Sequence, residues 1–289
     1  MASIVLGGLL VASFAGQDDP RPQRADPHGD PGLSAAAARR LLNATAAAST
    51  GTPKAELAAE GRRLFRSSAV AKTGESCQSC HTDGTANAEL GTTPHPQRAG
   101  DFKGLRDPPS LFGVDRTAPY FWIGDRRTLR ETVVGTIVDH FVDGGTQPAE
   151  TTGRQAAALV AYLSTLRAPR TRFDAGTMPP AAQRGLRVFQ TTGQCSACHG
   201  GPDFTDNRLH DTLVPQGRPG DDDPGAPSPA GGFNTPMLRD VRNSAPYMHN
   251  GVFGSLREVV EFYDERSSVA PLNLTPEEID DLVAFLGEL

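Results

Sequence analysis

The chain is predicted to be mainly α-helical, two tandem copies of one small unit with long loops and little β structure. Three observations predict this. All four cysteines fall into two copies of a five-residue pattern, Cys77-Gln78-Ser79-Cys80-His81 and Cys195-Ser196-Ala197-Cys198-His199. Blocks after those sites recur: Pro109-Ser110-Leu111 through Thr117-Ala118-Pro119-Tyr120 returns as Pro236-Met237-Leu238 through Ser244-Ala245-Pro246-Tyr247, at a constant offset of 127 residues. The flanking segments carry helical periodicity and helix-start signals instead of the alternation of strands.

Residues 1–16 are largely apolar (Ile4, Val5, Leu6, Leu9, Leu10, Val11) and end in Ser13-Phe14-Ala15, which suits a signal-peptide core and cleavage site, although a basic start is missing. The stretch is shorter than the roughly 20 apolar residues of a spanning helix, so no stable membrane span is expected. Residues 17–54, whose first part is rich in Asp, Pro, Arg and Gly, read as a flexible leader. The first unit covers 55–168, opening with a helix over 55–67 that sets Leu57, Gly61, Leu64 and Phe65 near one face. A linker with three prolines and a glycine follows over 169–180. The second unit, 181–289, repeats the parts: Gly61-Arg62-Arg63-Leu64-Phe65 becomes Gly185-Leu186-Arg187-Val188-Phe189, and Thr128-Leu129-Arg130-Glu131 becomes Ser255-Leu256-Arg257-Glu258. Leu159-Val160-Ala161-Tyr162-Leu163 returns as Leu282-Val283-Ala284-Phe285-Leu286, after the helix start Thr275-Pro276-Glu277-Glu278. The loop 215–232, crowded with Pro, Gly and Asp, is expected to be exposed. A helix before each cysteine site and one at the end of each unit can close on each other.

Composition narrows the partners. A net charge of −6 with no basic run argues against nucleic acid. With 31 glycines and 24 prolines in 289 residues the chain stays below the roughly 25–30% level of a low-complexity sequence.

CxxCH is the attachment signature of c-type haem. The two thiols add across the vinyl groups of one porphyrin, and the adjacent histidine becomes the proximal iron ligand. A zinc ribbon needs its pairs about 15–20 residues apart, whereas Cys80 and Cys195 are 115 apart. A thioredoxin-like site predicts neither a second copy nor a histidine after each pair. Disulfides remain the other reading for an exported chain. The sequence therefore predicts two covalent c-type haems on Cys77, Cys80, His81 and on Cys195, Cys198, His199. Such haems are attached outside the cytoplasm, which agrees with the signal-like start and predicts a periplasmic or otherwise exported protein.

In the second unit, the order CxxCH, Phe204-Thr205-Asp206-Asn207-Arg208-Leu209-His210, Pro236-Met237-Leu238-Arg239-Asp240-Val241, Ala245-Pro246-Tyr247-Met248-His249-Asn250-Gly251 and Leu256-Arg257-Glu258-Val259-Val260 resembles the bacterial di-haem cytochrome c peroxidases, including their MauG-like branch. In the first unit, Tyr120-Phe121-Trp122-Ile123-Gly124-Asp125-Arg126 is similar to that family's aromatic loop. The resemblance covers residues 55–289. It implies two cytochrome c-like domains, a peroxidatic haem in the first and an electron-transfer haem in the second, with Trp122 between them as a relay. It also implies reduction of hydrogen peroxide with electrons from a small cytochrome c or cupredoxin. The MauG-like alternative uses peroxide to oxidise a protein side chain such as tryptophan, and a non-enzymatic di-haem electron carrier is the third reading.

Several ligands stay open at this level. Tyr263 falls where electron-transferring members carry a methionine and MauG-like members a tyrosine; Met248 or Met237 is the sulfur alternative. At the first haem, His95 resembles a switchable ligand, and His140 falls in the segment that covers the open face, as base, iron ligand or structural residue. The family's distal glutamine and glutamate have no counterpart at Thr132 and Val142. His210 is read as a propionate partner. A bridging calcium is implied at Asp107, where the family has asparagine, with the carbonyls of Ser244 and Pro246; oxygen ligands of this kind suit that ion. Monomer or homodimer is left open.

Overall fold

The computed structural model describes residues 34–68, 76–82, 93–94, 105–138, 148–214, 232–266 and 271–289. The signal-like stretch 1–16, His95, His140 and the loop 215–231 lie outside the described residues. The first unit contains α1 (Ala35–Gly51), α2 (Lys54–Arg66), α3 (Cys77–Cys80), α4 (Leu129–Thr136) and α5 (Ala149–Leu163); the second contains α6 (Arg172–Ala175), α7 (Pro180–Gln190), α8 (Leu256–Arg266) and α9 (Pro276–Leu286). Two antiparallel ladders of two residues a strand are the only sheets among the described residues. β1 (Thr93–Pro94) pairs with β2 (Leu105–Arg106), and β3 (Leu209–His210) with β4 (Phe233–Asn234), in the register Leu209 to Asn234 and His210 to Phe233. The chain is thus mainly α, with two cytochrome c-like units and little β structure. No described helix is long and apolar enough to cross a membrane.

Each unit is closed by one helix pair, α2 on α5 and α7 on α9, and the same glycine brings each pair together. A Cβ on Gly61 would lie 2.0 Å from the Ala158 carbonyl oxygen, and one on Gly185 would lie 1.9 Å from that of Asp281. Only a residue without a side chain lets two helix backbones approach so closely. The apolar faces then meet: Phe65 packs edge-on against Tyr162 at 5.3 Å, and Phe189 against Phe285 at 5.1 Å. Phe204 and Phe173 join Phe285 edge-to-face at 6.3 and 6.0 Å, the offset geometry that aromatic quadrupoles favour. An ion pair of opposite polarity flanks each glycine, Glu60 with Arg154 at 2.8 Å and Arg184 with the buried Asp281 at 2.6 Å.

Helix starts follow their sequence signals. Thr128 and Glu131, and Thr275 and Glu278, exchange capping-box hydrogen bonds. The Glu258 carboxylate likewise accepts from the Ser255 N–H at 2.8 Å while Ser255 Oγ accepts from the Glu258 N–H. Satisfying orphan N–H groups in this way fixes where each helix begins.

Two boundaries differ from expectation. The leader assigned to 17–54 contains α1, which packs on α5. Leu41 and the fully buried Thr45 lie on one face of α1, and Gly153 of α5 leaves room for Ala44. The alanine-rich run was masked in sequence by its polar surroundings, yet alanine is the best helix former and small faces pack closely. The linker 169–180 is also more than a connector. Thr171 and Asp174 cap α6, and Phe173 enters the core of the second unit beneath the Arg239 guanidinium, 5.1 Å from its ring.

The repeat extends to the backbone. The 3₁₀ turns Val114–Arg116 and Val241–Asn243 are equivalent, each preceded by a left-handed residue, Gly113 at φ 67° and Asp240 at φ 61°. Phe121 and Met248 both have positive φ, and the bridges Tyr120 to Arg126 and Tyr247 to Phe253 close the same loop in each copy.

Candidate functional site

Each CxxCH sits directly after the glycine-bearing helix of its unit. In the first, Ser76 and Ser79 cap the single turn of α3, which carries Cys77 and Cys80 one turn apart and delivers His81 at its end. In the second, a 3₁₀ turn Cys195–Ala197 does the same work. All four thiols are free of disulfides and partly buried, so the disulfide reading finds no support. Burial pushes Cys77 up to about 11 and Cys195 up to about 12, keeping both as neutral thiols.

Neither of the two histidines carries a charge. Burial pushes His81 down to about 4, and it also lowers His199, so both rings are neutral. The carbonyls of Pro109 and Pro236, equivalent in the repeat, each face one of these rings. His199 Nδ1 lies 2.9 Å from the Phe204 carbonyl, which can only accept. Nδ1 therefore carries the proton, and Nε2 keeps its lone pair for a ligand. Orienting a metal-binding imidazole through its other nitrogen is the usual arrangement. At His81, Nδ1 makes no hydrogen bond.

Tyr263, on α8, faces the second cysteine site. Its phenol is pushed up to about 12, chiefly by burial and further by Cys195 and Cys198, against a hydrogen bond with Thr212. Met248 stands on the second unit's loop closed by the Tyr247 to Phe253 bridge, whereas Met237 packs against the core of the first unit. His210 Nε2 bonds Asp206 Oδ2 at 2.8 Å, and these two groups lie with Cys198 within 4.8 Å of one another.

The units meet around Trp122. Its indole N–H donates to the Asp107 carbonyl at 2.8 Å, and its own carbonyl accepts from the Asn234 N–H at 2.7 Å. Asp107 N–H donates to the His249 carbonyl at 3.0 Å. The His249 ring lies edge-on to the indole at 6.5 Å and stacks on Phe233 at 3.8 Å. A bidentate Arg116 to Asp203 pair, at 2.9 and 2.6 Å, ties the same seam nearer solvent. Asp107 is 5% exposed, its Oδ1 has no hydrogen-bond partner, and burial pushes its carboxyl up to about 8. Burial, with a further contribution from Asp107, pushes the phenol of Tyr247, next to Pro246, up to about 12. A buried acceptor without a partner is costly unless a proton or cation meets it.

The structure thus brings Cys77, Cys80 and His81 together, and likewise Cys195, Cys198, His199, His210 and Tyr263; Trp122 and Asp107 sit in the seam with the loop of Ser244, Pro246 and Met248. Asn234 and Phe233 are seam members that the sequence reading did not single out. The offset of 127, which pairs His249 with Trp122, also pairs Asn234 with Asp107, but it gives no signal for Phe233.

No family model matches the chain. It is 34% identical over 182 residues to a cytochrome-c peroxidase of Denitromonas iodatirespirans, covering 46% of this chain and 48% of that protein. It is 35% identical over 151 residues to the methylamine utilization protein MauG of Methylorubrum extorquens, covering 46% and 43%. The matched stretch spans about half the length of these curated relatives. Among solved structures, the diheme peroxidase BthA of Burkholderia thailandensis superposes with a TM-score of 0.65 at 25% identity, over 81% of this chain and 86% of that one. In sequence and in fold, the chain is similar to bacterial di-haem cytochrome c peroxidases and to MauG.

Proposed function

We propose that the protein is a di-haem c-type peroxidase that reduces hydrogen peroxide at the His81 site, with electrons relayed through the His199 site from a small cytochrome c or cupredoxin. One observation carries this reading: two CxxCH units, each burying a neutral proximal histidine, meet across a seam that holds the only tryptophan of the chain. Haem bound covalently at Cys77 and Cys80 and at Cys195 and Cys198 supplies the iron redox chemistry with peroxide. His81 and His199 would hold the iron, His199 through the nitrogen that Phe204 leaves free. Trp122, fixed at Nε1 and at its carbonyl, serves as the relay between the two centres. His140 or His95 moves the proton that peroxide cleavage requires, or ligates the first iron. His210, tied to Asp206, holds a haem propionate.

The Asp107 carboxylate, with the carbonyls of Ser244 and Pro246, binds a calcium ion; its buried, unpartnered Oδ1 supports this. The protein acts in the periplasm or otherwise outside the cytoplasm.

A second reading is favoured by Tyr263, which faces both cysteines of the second site. With Tyr263, and not Met248, as iron ligand, the protein is MauG-like and oxidises a side chain of a protein substrate. The solved relatives include a tyrosine-to-methionine variant of BthA. Stoichiometric peroxide added to the oxidised protein, followed by optical and paramagnetic resonance spectra, separates the readings. A persistent spectral change without prior reduction supports the MauG-like branch; a response only after half-reduction supports the peroxidase. Two sites that stay inert in every oxidation state leave an electron carrier and refute both. Tyr263→Met shifts the spectrum of the second site; unchanged spectra remove tyrosine as a ligand.

A further inference from the structure

We infer that Asn234 is the metal-free counterpart of the Asp107 cation site and a positioning residue for Trp122, the two positions being exchanged by a pseudo-two-fold axis through the contact between Trp122 and His249. The inference rests on the calcium reading above.

The axis is visible in the hydrogen bonds. At an offset of 127 Asp107 becomes Asn234, Pro119 becomes Pro246 and Trp122 becomes His249. Asp107 N–H donates to the His249 carbonyl and Asn234 N–H donates to the Trp122 carbonyl, so one bond is the image of the other. In an isologous contact each residue meets the image of its own partner, and a residue near the axis meets its own image. Trp122 and His249 do this, ring against ring.

Symmetry ends at the side chains. Asn234 Nδ2 donates to the Pro119 carbonyl at 2.6 Å. The image of that bond would join the Asp107 carboxylate to the Pro246 carbonyl, and neither group has a proton to give when the carboxylate is charged. Two facing acceptors need a proton or a cation between them, whereas the Asn234 amide nitrogen already donates to its carbonyl. Asn234 also grips both ends of the turn 119–122, through its side chain at Pro119 and its main chain at Trp122. It thereby holds the loop that aims the indole N–H at Asp107. Its own Oδ1 is buried without a hydrogen-bond partner, while Nδ2 is committed to the Pro119 carbonyl.

The test is calcium stoichiometry on the full, haem-loaded chain, stripped with chelator and titrated calorimetrically with calcium alone. The expected result is one ion for the wild type, two for Asn234→Asp and one for Asn234→Ala. Two ions in the wild type overturn the inference by making Asn234 itself a ligand, and so does Asn234→Asp remaining at one. No ion in the wild type removes the calcium reading, and this inference with it. If Asn234→Asp does not fold, Asn234→Ala still decides through ultraviolet resonance Raman of the single tryptophan. Its indole hydrogen-bond band shifts toward a weaker bond if Asn234 positions the loop; an unchanged band overturns that role.

Discussion

Replacing Gly185 by alanine tests the close helix crossing that builds each unit. The new Cβ would lie 1.9 Å from the Asp281 carbonyl oxygen, 2.5 Å from its carbon and 2.8 Å from Phe285 Cβ. The atoms struck first are backbone, so no rotamer change relieves the contact; α9 has to retreat by about 1 Å to reach even a tight contact. That retreat opens the packing of Phe285, which is 0% exposed, against Phe189. Overpacking of this kind costs about 3 kcal/mol, the upper part of the usual range. Alanine returns about 1 kcal/mol in helix propensity, leaving a net loss of about 2 kcal/mol. At roughly 2–4 °C per kcal/mol for a protein of this size, the melting temperature falls by about 4–8 °C. Thermal unfolding of the haem-loaded protein, followed by far-ultraviolet circular dichroism, measures it. Gly51→Ala is the control: no atom lies within 4 Å of its Cβ, and a gain of about 0.5–1 kcal/mol is expected. A Gly185→Ala protein that melts at or above the wild type would show that α7 and α9 do not cross as described.

Further outcomes follow from the seam and the caps. Trp122→Phe deletes the N–H bond to the Asp107 carbonyl, costs about 0.5–1.5 kcal/mol in urea unfolding, and slows electron transfer between the two haem sites in stopped-flow spectra. Equal rates would remove Trp122 from the relay. The Arg116 guanidinium holds the Asp203 carboxyl below the ordinary value of 3.8, against the opposing effect of burial. A carboxyl lowered on folding adds stability above its unfolded pKa and loses it as pH falls through the folded one. Asp203→Asn therefore lowers the unfolding free energy in urea at pH 7, by about 0.2–1 kcal/mol because Arg116 is 44% exposed, and flattens the loss of stability below pH 3.8. A parallel acid profile in wild type and variant would exclude the pair as a stabiliser. Thr275→Ala removes the cap that accepts from the Glu278 N–H, with a calorimetric loss of about 1 kcal/mol.

The helix pairs and cysteine sites were legible because their signals are local or periodic. Gly61 and Gly185 stand at the same step of an amphipathic helix, and CxxCH carries its spacing within five residues. Helix α1 was not legible, since its alanine-rich face gains stability only from the groove that Gly153 opens on α5. Phe173 was hidden in the same way, within a proline-bounded stretch whose burial depends on residues far along the chain.

The sequence alone determined the duplication, the two thiol-thiol-imidazole sites and the helical class, because each is written in residues near one another or in a repeat offset. Only the tertiary structure decided that Trp122, Asp107, His249 and Asn234 meet at one seam, and that Asp107 is left with an unpartnered oxygen there. The reason is physical: burial and hydrogen-bond pairing between distant segments arise only when the two units pack, and no periodicity within either unit encodes which of its polar groups will face the other.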